Sequence, residues 1–325
     1  MRLDTGRGAR LSLGTMLLGL AIAGSPAESV GAADLPCAFL APEASCDELG
    51  PEARAAWQLA DRLAKATLVL PAEDGTFLNQ QGHAVALNQF QVIWHHQGDT
   101  PAQSGPLYRS QAVRGLRQYV DEGGGLFLSG AALTMIHTMG IEPVRPRLGA
   151  GGSDGYQAKL IAERRDHPVF AGLAFEGIFE GNTLVPLTHG GWPAYADFLG
   201  SGGPSRGMLL ARANAGAENP LAEYASGQGR VIVFGWRAAN YALPDNPHRE
   251  NLERLTGNIL AYLADKQQWQ EIVLRPVAVA AVDATGVSAN QWQALERALG
   301  DLSQTYQARY PDGPQYLQRL QALQA

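Results

Sequence analysis

Apolar positions between residues 51 and 140 switch repeatedly between a helical and an extended period. Behind Pro51, a residue suited to a first helical turn, Ala55, Leu59 and Leu63 form one stripe and predict a helix over 51–66. Residues 67–70 are a short strand-like run stopped by Pro71. The polar stretch 73–88, with Gly75 and Gly82, predicts a loop or small hairpin. Residues 90–94 are continuously apolar, the pattern of a strand covered on both faces, and a turn-rich loop over 95–106 follows. Val113, Leu116 and Val120 predict a helix over 107–122 that the glycines Gly123–Gly125 close. A strand over 126–129 and a helix over 131–139 complete the unit. Strand–helix–strand order with short links implies a parallel sheet with right-handed crossovers.

The middle of the chain loses helical periodicity. Strands are predicted over 156–163, 183–187, 196–199 and 207–212, which together read as a β-rich insertion or antiparallel extension. A hairpin follows: 221–224, the turn Ser226-Gly227-Gln228-Gly229, and 230–234. Leu252, Leu255, Ile259 and Leu263 line the inner face of a helix over 246–264. Beyond Lys266, an Ala/Val-rich extended stretch gives way to two Gln- and Leu-rich amphipathic helices, so 267–325 reads as a helical C-terminal appendage and a candidate protein-docking surface.

The first 33 residues stand outside this pattern. Arg2, Arg7 and Arg10 precede the apolar stretch 11–23, and small residues end at Gly31-Ala32-Ala33, the order of a secretory signal. The expected location is periplasmic or secreted, with no stable membrane span after cleavage, because the apolar run is too short to span a bilayer. Domain organisation then reads as signal 1–33, an N-terminal segment 34–66, an α/β domain 67–266 and the appendage 267–325. The two cysteines, Cys37 and Cys46, are expected to pair as a disulfide in an oxidising compartment. Two thiols without a nearby histidine make no metal site. A net charge of −6 with no block of like charges argues against a nucleic-acid partner. No cofactor is expected: Gly123–Gly125 precede a strand, the wrong order for a phosphate cradle.

Four stretches in this order resemble the class I glutamine-amidotransferase-like superfamily, and within it the trehalose-utilisation (ThuA-like) branch. They are the strand 90–94 followed by His95-His96, "LRQYVDEGGGLFLS" ending at Ser129, the turn Asp166-His167-Pro168-Val169-Phe170-Ala171-Gly172-Leu173, and "GQGRVIVFG" ending at Gly235. The resemblance covers roughly residues 65–265. It implies a three-layer α/β sandwich of flavodoxin-like type with a mainly parallel sheet, and an association with carbohydrate metabolism. It also implies a cysteine nucleophile in the elbow after the second strand, and a His–Glu pair after the last. Here the elbow reads Ser129-Gly130-Ala131-Ala132, and Gly235-Trp236-Arg237-Ala238 holds no histidine. A thiolate nucleophile needs a base beside it, so glutaminase chemistry is not expected.

Candidate chemistry therefore concentrates at the ends of the strands, where open α/β sheets bind ligands. His95, His96 and Ser129 are the candidate catalytic groups. Adjacent histidines on a strand point to opposite faces, so at most one enters a given cleft. Ser129 lacks the Gly-x-Ser-x-Gly surroundings of a serine elbow, and its simpler role is to cap the following helix. His96, Asp99, Trp236, Arg237 and Asn240 are the candidate carbohydrate contacts, since aromatic and planar polar groups suit sugar rings. The expectation is an exported, non-catalytic domain that binds a carbohydrate or serves as a scaffold. The alternatives are a carbohydrate-processing enzyme using His95 or His96 as acid–base, and an interaction module of a larger periplasmic assembly.

Overall fold

The computed structural model describes residues 35–41, 43, 46–98, 105–152, 159–188, 194–199, 203–213, 218–236 and 239–269. The expected signal over 1–33, Asp99, Arg237 and the part of the expected appendage beyond 269 therefore lie outside the described residues, as do the side chains of Cys46 and Asn240.

The chain runs β1 (Cys37–Leu40), α1 (Pro51–Ala64), β2 (Thr67–Pro71), β3 (Phe77–Asn79), β4 (Val92–Gln97), α2 (Ser110–Asp121), β5 (Gly125–Gly130) and α3 (Met135–Thr138). It continues through β6 (Arg147–Gly152), β7 (Lys159–Ala162), β8 (Ile178–Phe179), β9 (Asn182–Pro186), β10 (Ala194–Phe198), β11 (Met208–Ala213), β12 (Glu218–Ser226) and β13 (Gly229–Phe234), then α4 (Ala239–Ala242) and α5 (Arg249–Ala264). Among the described residues an 11-stranded sheet has the order β3-β2-β1-β4-β5-β13-β12-β11-β7-β9-β8, and β10 pairs β6 apart from it.

The fold is α/β, and the sheet is mixed rather than mainly parallel. Parallel pairing is confined to β2-β1-β4-β5-β13. Every pairing beyond it is antiparallel, including β13–β12 and β12–β11. The physical reason is the hairpin at Gly227, whose φ of 55° turns β12 back beside β13. The β-rich segment then zips onto β12 without crossover helices, which parallel pairing would require.

Alternate residues of the parallel strands feed two apolar clusters. Phe39, Trp94, Phe127, Ile232 and Phe234 join α1 and α5, while Leu40, Ile93, Leu128 and Val233 join α2 and α3. Burial on both faces explains why these strands read as unbroken apolar runs. Trp94 is the pillar of the first cluster, wholly enclosed, with Phe127 stacked at 5.3 Å and Phe39 edge-on at 5.4 Å. Each fully buried side chain of this size contributes upward of about 2 kcal/mol.

The expected disulfide is a correction. Cys37 is a free thiol on the inner face of β1, packed into the α1–α5 cluster. Strand alternation aims it at the core, and burial pushes its pKa up to about 12, which keeps it protonated and unreactive.

Candidate functional site

The parallel strands end together, and their final residues form a polar corner inside an apolar body. In β4 and β5, His95 pairs Leu128, His96 pairs Ser129 and Gln97 pairs Gly130. Both histidines thus lie within β4 rather than after it. They point to opposite faces, as strand geometry requires.

His96 faces α1. Its Nδ1 lies 2.7 Å from Ser129 Oγ, and its Nε2 lies 3.4 Å from Glu52 Oε1. Trp94 Nε1 donates to the same Ser129 Oγ at 2.7 Å. An indole N–H can only donate, so the hydroxyl proton of Ser129 is left for His96 Nδ1. The imidazole proton then sits on Nε2, toward the Glu52 carboxylate. Trp94, Ser129 and His96 form one directed chain with Glu52 3.4 Å beyond it, and all four side chains are buried. Tyr241 packs edge-on to both rings at 5.9 Å and donates to Thr256 Oγ1 at 2.6 Å, which itself donates to Leu252 O.

Glu52 was not singled out by its sequence. It sits in the first turn of α1 behind Pro51, where a carboxylate also complements the helix dipole. Its head lies against the backbone just past β4: a Cβ at Gly98 would come within 1.9 Å of its carboxylate carbon. Only glycine allows that approach. Pro51-Glu52 signals a helix start, and nothing local announces a partner at position 96.

His95 faces the other cluster. Its Nδ1 donates to Leu40 O at 2.9 Å, and its buried Nε2 has no hydrogen-bond partner among the described residues. Tyr108 packs nearby and donates to Gln97 Oε1 at 2.6 Å. Burial, opposed by the bond to Leu40 and reinforced by neighbouring His96, lowers the His95 pKa to about 4. The unfolded chain therefore takes up a proton near pH 6.5 that the folded chain refuses until about pH 4. The associated stability is complete above pH 6.5 and is lost as pH falls to about 4, in total on the order of 3 kcal/mol. Urea melts between pH 7.5 and 4.5 are expected to show a shallower decline in His95→Phe than in wild type. Equal slopes would contradict this account.

The turn after β5 settles which residue occupies the elbow. Ser129 belongs to the ladder, paired with both His96 and Phe234. Gly130 makes the turn, with φ 61° and ψ −140°, before the 3₁₀ segment Ala131–Thr134. A Cβ there would stand 2.3 Å from Gln97 O and 3.0 Å from His96 Cε1. The strained position thus carries no side chain and has no room for one. No group of three or more His, Cys, Asp or Glu among the described residues could hold a metal ion.

Of the expected carbohydrate contacts, His96 is enclosed by Ser129 and Glu52, and Trp236 is fully buried, stacked on Phe234 at 6.2 Å. Asp99 and Arg237 fall outside the described residues, and Asn240 is placed by its backbone at the start of α4.

A second buried network lies on the α5 side. Glu223 of β12 accepts from Tyr262 Oη at 2.7 Å, stands 3.3 Å from Arg230 Nε and 3.2 Å from His167 Nε2. His167 Nδ1 accepts from Val169 N–H, so Nε2 carries the proton given to Glu223. This anchors the His167-Pro168 turn to sheet and helix together.

No protein-family model matches the sequence, and no curated protein matches it. Among solved structures, the chain is similar to a ThuA-like protein of Parabacteroides merdae (14% identity, 71% of this chain and 90% of the other, TM-score 0.47). It is also similar to a ThuA-like protein of Bacteroides uniformis (12% identity, 74% and 95%, TM-score 0.46). A third is PurLQS of Thermotoga maritima (13% identity, 70% and 99%, TM-score 0.45).

Proposed function

We propose that this chain is an exported domain of amidotransferase-like, three-layer architecture that has given up catalysis and works by binding, either to a carbohydrate or as a scaffold for other proteins. One observation carries the reading. On the α1 side of the strand-end corner, Trp94 and His96 both bond the Ser129 hydroxyl, Glu52 stands beside His96, and all four are enclosed, while the elbow residue Gly130 has no reactive group and no space for one. A nucleophile must reach its substrate, and Ser129 is wholly buried beneath Trp94 and Tyr241. The cluster Trp94–Ser129–His96–Glu52 then serves to fix α1 against β4 and β5, a buried polar network that specifies one packing.

The order hydroxyl–imidazole–carboxylate favours a second reading, a hydrolase in which His96 draws the Ser129 proton and Glu52 orients the ring. Ser129→Ala separates the two. Under the binding reading, wild type shows no turnover on ester, amide and glycoside panels. The variant then loses only stability, about 1–3 kcal/mol in urea melts, because Trp94 N–H and His96 Nδ1 lose the hydroxyl they share. Wild-type turnover that Ser129→Ala or His96→Ala abolishes would overturn the proposal.

A further inference from the structure

A groove of about 1000 Å³ opens on the flank of the sheet, lined by none of the residues of the strand-end corner. One wall is α2, which presents Gln111, Arg114, Gln118 and Glu122 along a single helical stripe. Residues 84–88 also line the groove, as do the buried Phe77 and Tyr119.

Three independent features of this groove suit an extended chain. The first is an open backbone edge. β3 ends the sheet, and the segment after it folds back: Asn79 N–H donates to His83 O at 2.9 Å, and Val85 N–H donates to Phe77 O at 2.8 Å. Ala84 pairs Leu78 between these two bonded pairs. In an antiparallel ladder such a residue turns both its N–H and its C=O outward. The side chains of Ala84 and Ala86 are exposed methyl groups that screen nothing.

The second is unspent polarity. Arg114 and Gln111 make no hydrogen bond or ion pair among the described residues. Their neighbour Arg117 is held by Asp121 at 2.8 Å and Met139 O at 2.8 Å, and Gln118 is bonded to Glu122 at 2.7 Å. The third is Gly115, in the middle of α2. Glycine there costs about 1 kcal/mol relative to alanine. Packing does not demand it, since an added Cβ would meet only Phe77 Cε2, at 3.4 Å. What the missing side chain leaves is a flat floor.

We propose that this groove binds an extended acidic peptide segment of a partner protein, which adds as a strand at Ala84 and sets a carboxylate on Arg114. The wall from Gln111 to Glu122 is roughly 16 Å long at 1.5 Å per residue, enough for about five extended residues. Main-chain pairing supplies affinity in this mode, and the side-chain contact supplies choice of partner. The inference concerns a different surface from the catalytic question, so turnover at Ser129 would leave it standing and absence of peptide binding would leave the strand-end reading standing.

The test uses two immobilised pentapeptide pools with random flanks, one with a central aspartate and one with a central lysine. The full chain is expected to prefer the aspartate pool by at least about tenfold, and Arg114→Glu to invert that preference. Ala84→Pro removes an outward donor without touching a ladder bond, and is expected to abolish capture by both pools while the thermal melt is unchanged. Arg114 and Ala84 are both exposed, so neither variant endangers folding. Equal capture of the two pools, or capture that survives Ala84→Pro, overturns the proposal. Saturable binding of maltotriose that Arg114→Glu removes, with no peptide capture, overturns it in favour of a sugar site.

Discussion

Gly130→Ala is expected to destabilise the protein by about 2–6 kcal/mol, a large share of the 5–15 kcal/mol typical of a folded domain. Two costs combine. The backbone at φ 61°, ψ −140° is reached almost only by glycine, and forcing another residue into it costs on the order of 1–3 kcal/mol. The new Cβ must then displace Gln97 O, 2.3 Å away, in a body with no slack. Such overpacking costs about 1–3 kcal/mol more. Gln97 ends β4, and its side chain takes the Tyr108 hydroxyl, so the shift propagates to the His95 side of the sheet. Urea unfolding of the two proteins gives the difference directly, with an unchanged slope if the denatured states match. A change within about 0.5 kcal/mol would show that the turn yields readily, and that the corner could accept a side chain after all. The expected loss bears on function, because a nucleophile elbow places its reactive side chain on a strained strand-to-helix turn of this kind.

The parts of the fold that could be read from the chain are those whose signal is local. β4, α2 and β5 carry a buried apolar run, a helical stripe and a glycine turn, and the structure has all three, α2 and β5 where the pattern puts them and β4 running from Val92 to Gln97 rather than over 90–94. The hairpin β12–β13 is marked by Gly227 in the same way. β1 is different. Cys37–Leu40 is four residues long, too short to show a period, so the sequence pattern leaves it in a separate N-terminal segment. It lies in the parallel half of the sheet because β2 and β4 pair it on both sides, and Pro36 O accepts from Gln91 N–H at 2.8 Å at its start. The sequence pattern puts the histidines after β4, since the apolar run ends at Trp94. They continue it because Leu40 O takes one ring and Ser129 with Glu52 takes the other. Glu52 could not be found locally at all, since its role exists only once α1 and β4 are packed. The mixed sheet was half legible: the absence of helices announced an antiparallel extension, but not that its ladders would outnumber the parallel ones.

The same non-local logic makes Glu223→Ala the other severe substitution. At sequence level Glu223 is one polar residue in a strand of a hairpin. In the structure its carboxylate is wholly buried, and three groups converge on it from three elements: His167 from the turn before α5's docking site, Tyr262 from α5, and Arg230 from β13. Removing the carboxylate leaves a largely buried guanidinium without its counter-charge and strands the Tyr262 hydroxyl and the His167 N–H in an apolar surround. Breaking a buried pair on one side costs about 3–5 kcal/mol. Replacement of a buried network by apolar groups as a whole is far milder, so the double variant Glu223→Leu with Arg230→Met is expected to recover more than half of the loss. His167 packs edge-on to Tyr262 at 4.6 Å and holds Val169 N–H, so loss of Glu223 also frees the turn that seats Phe170 against the core. Chemical denaturation gives the magnitudes, and amide exchange at Val169 and Phe170 reports the turn. If Glu223→Ala melts like wild type, then water takes the place of the carboxylate as acceptor, and the network is not what ties α5 to the antiparallel half of the sheet.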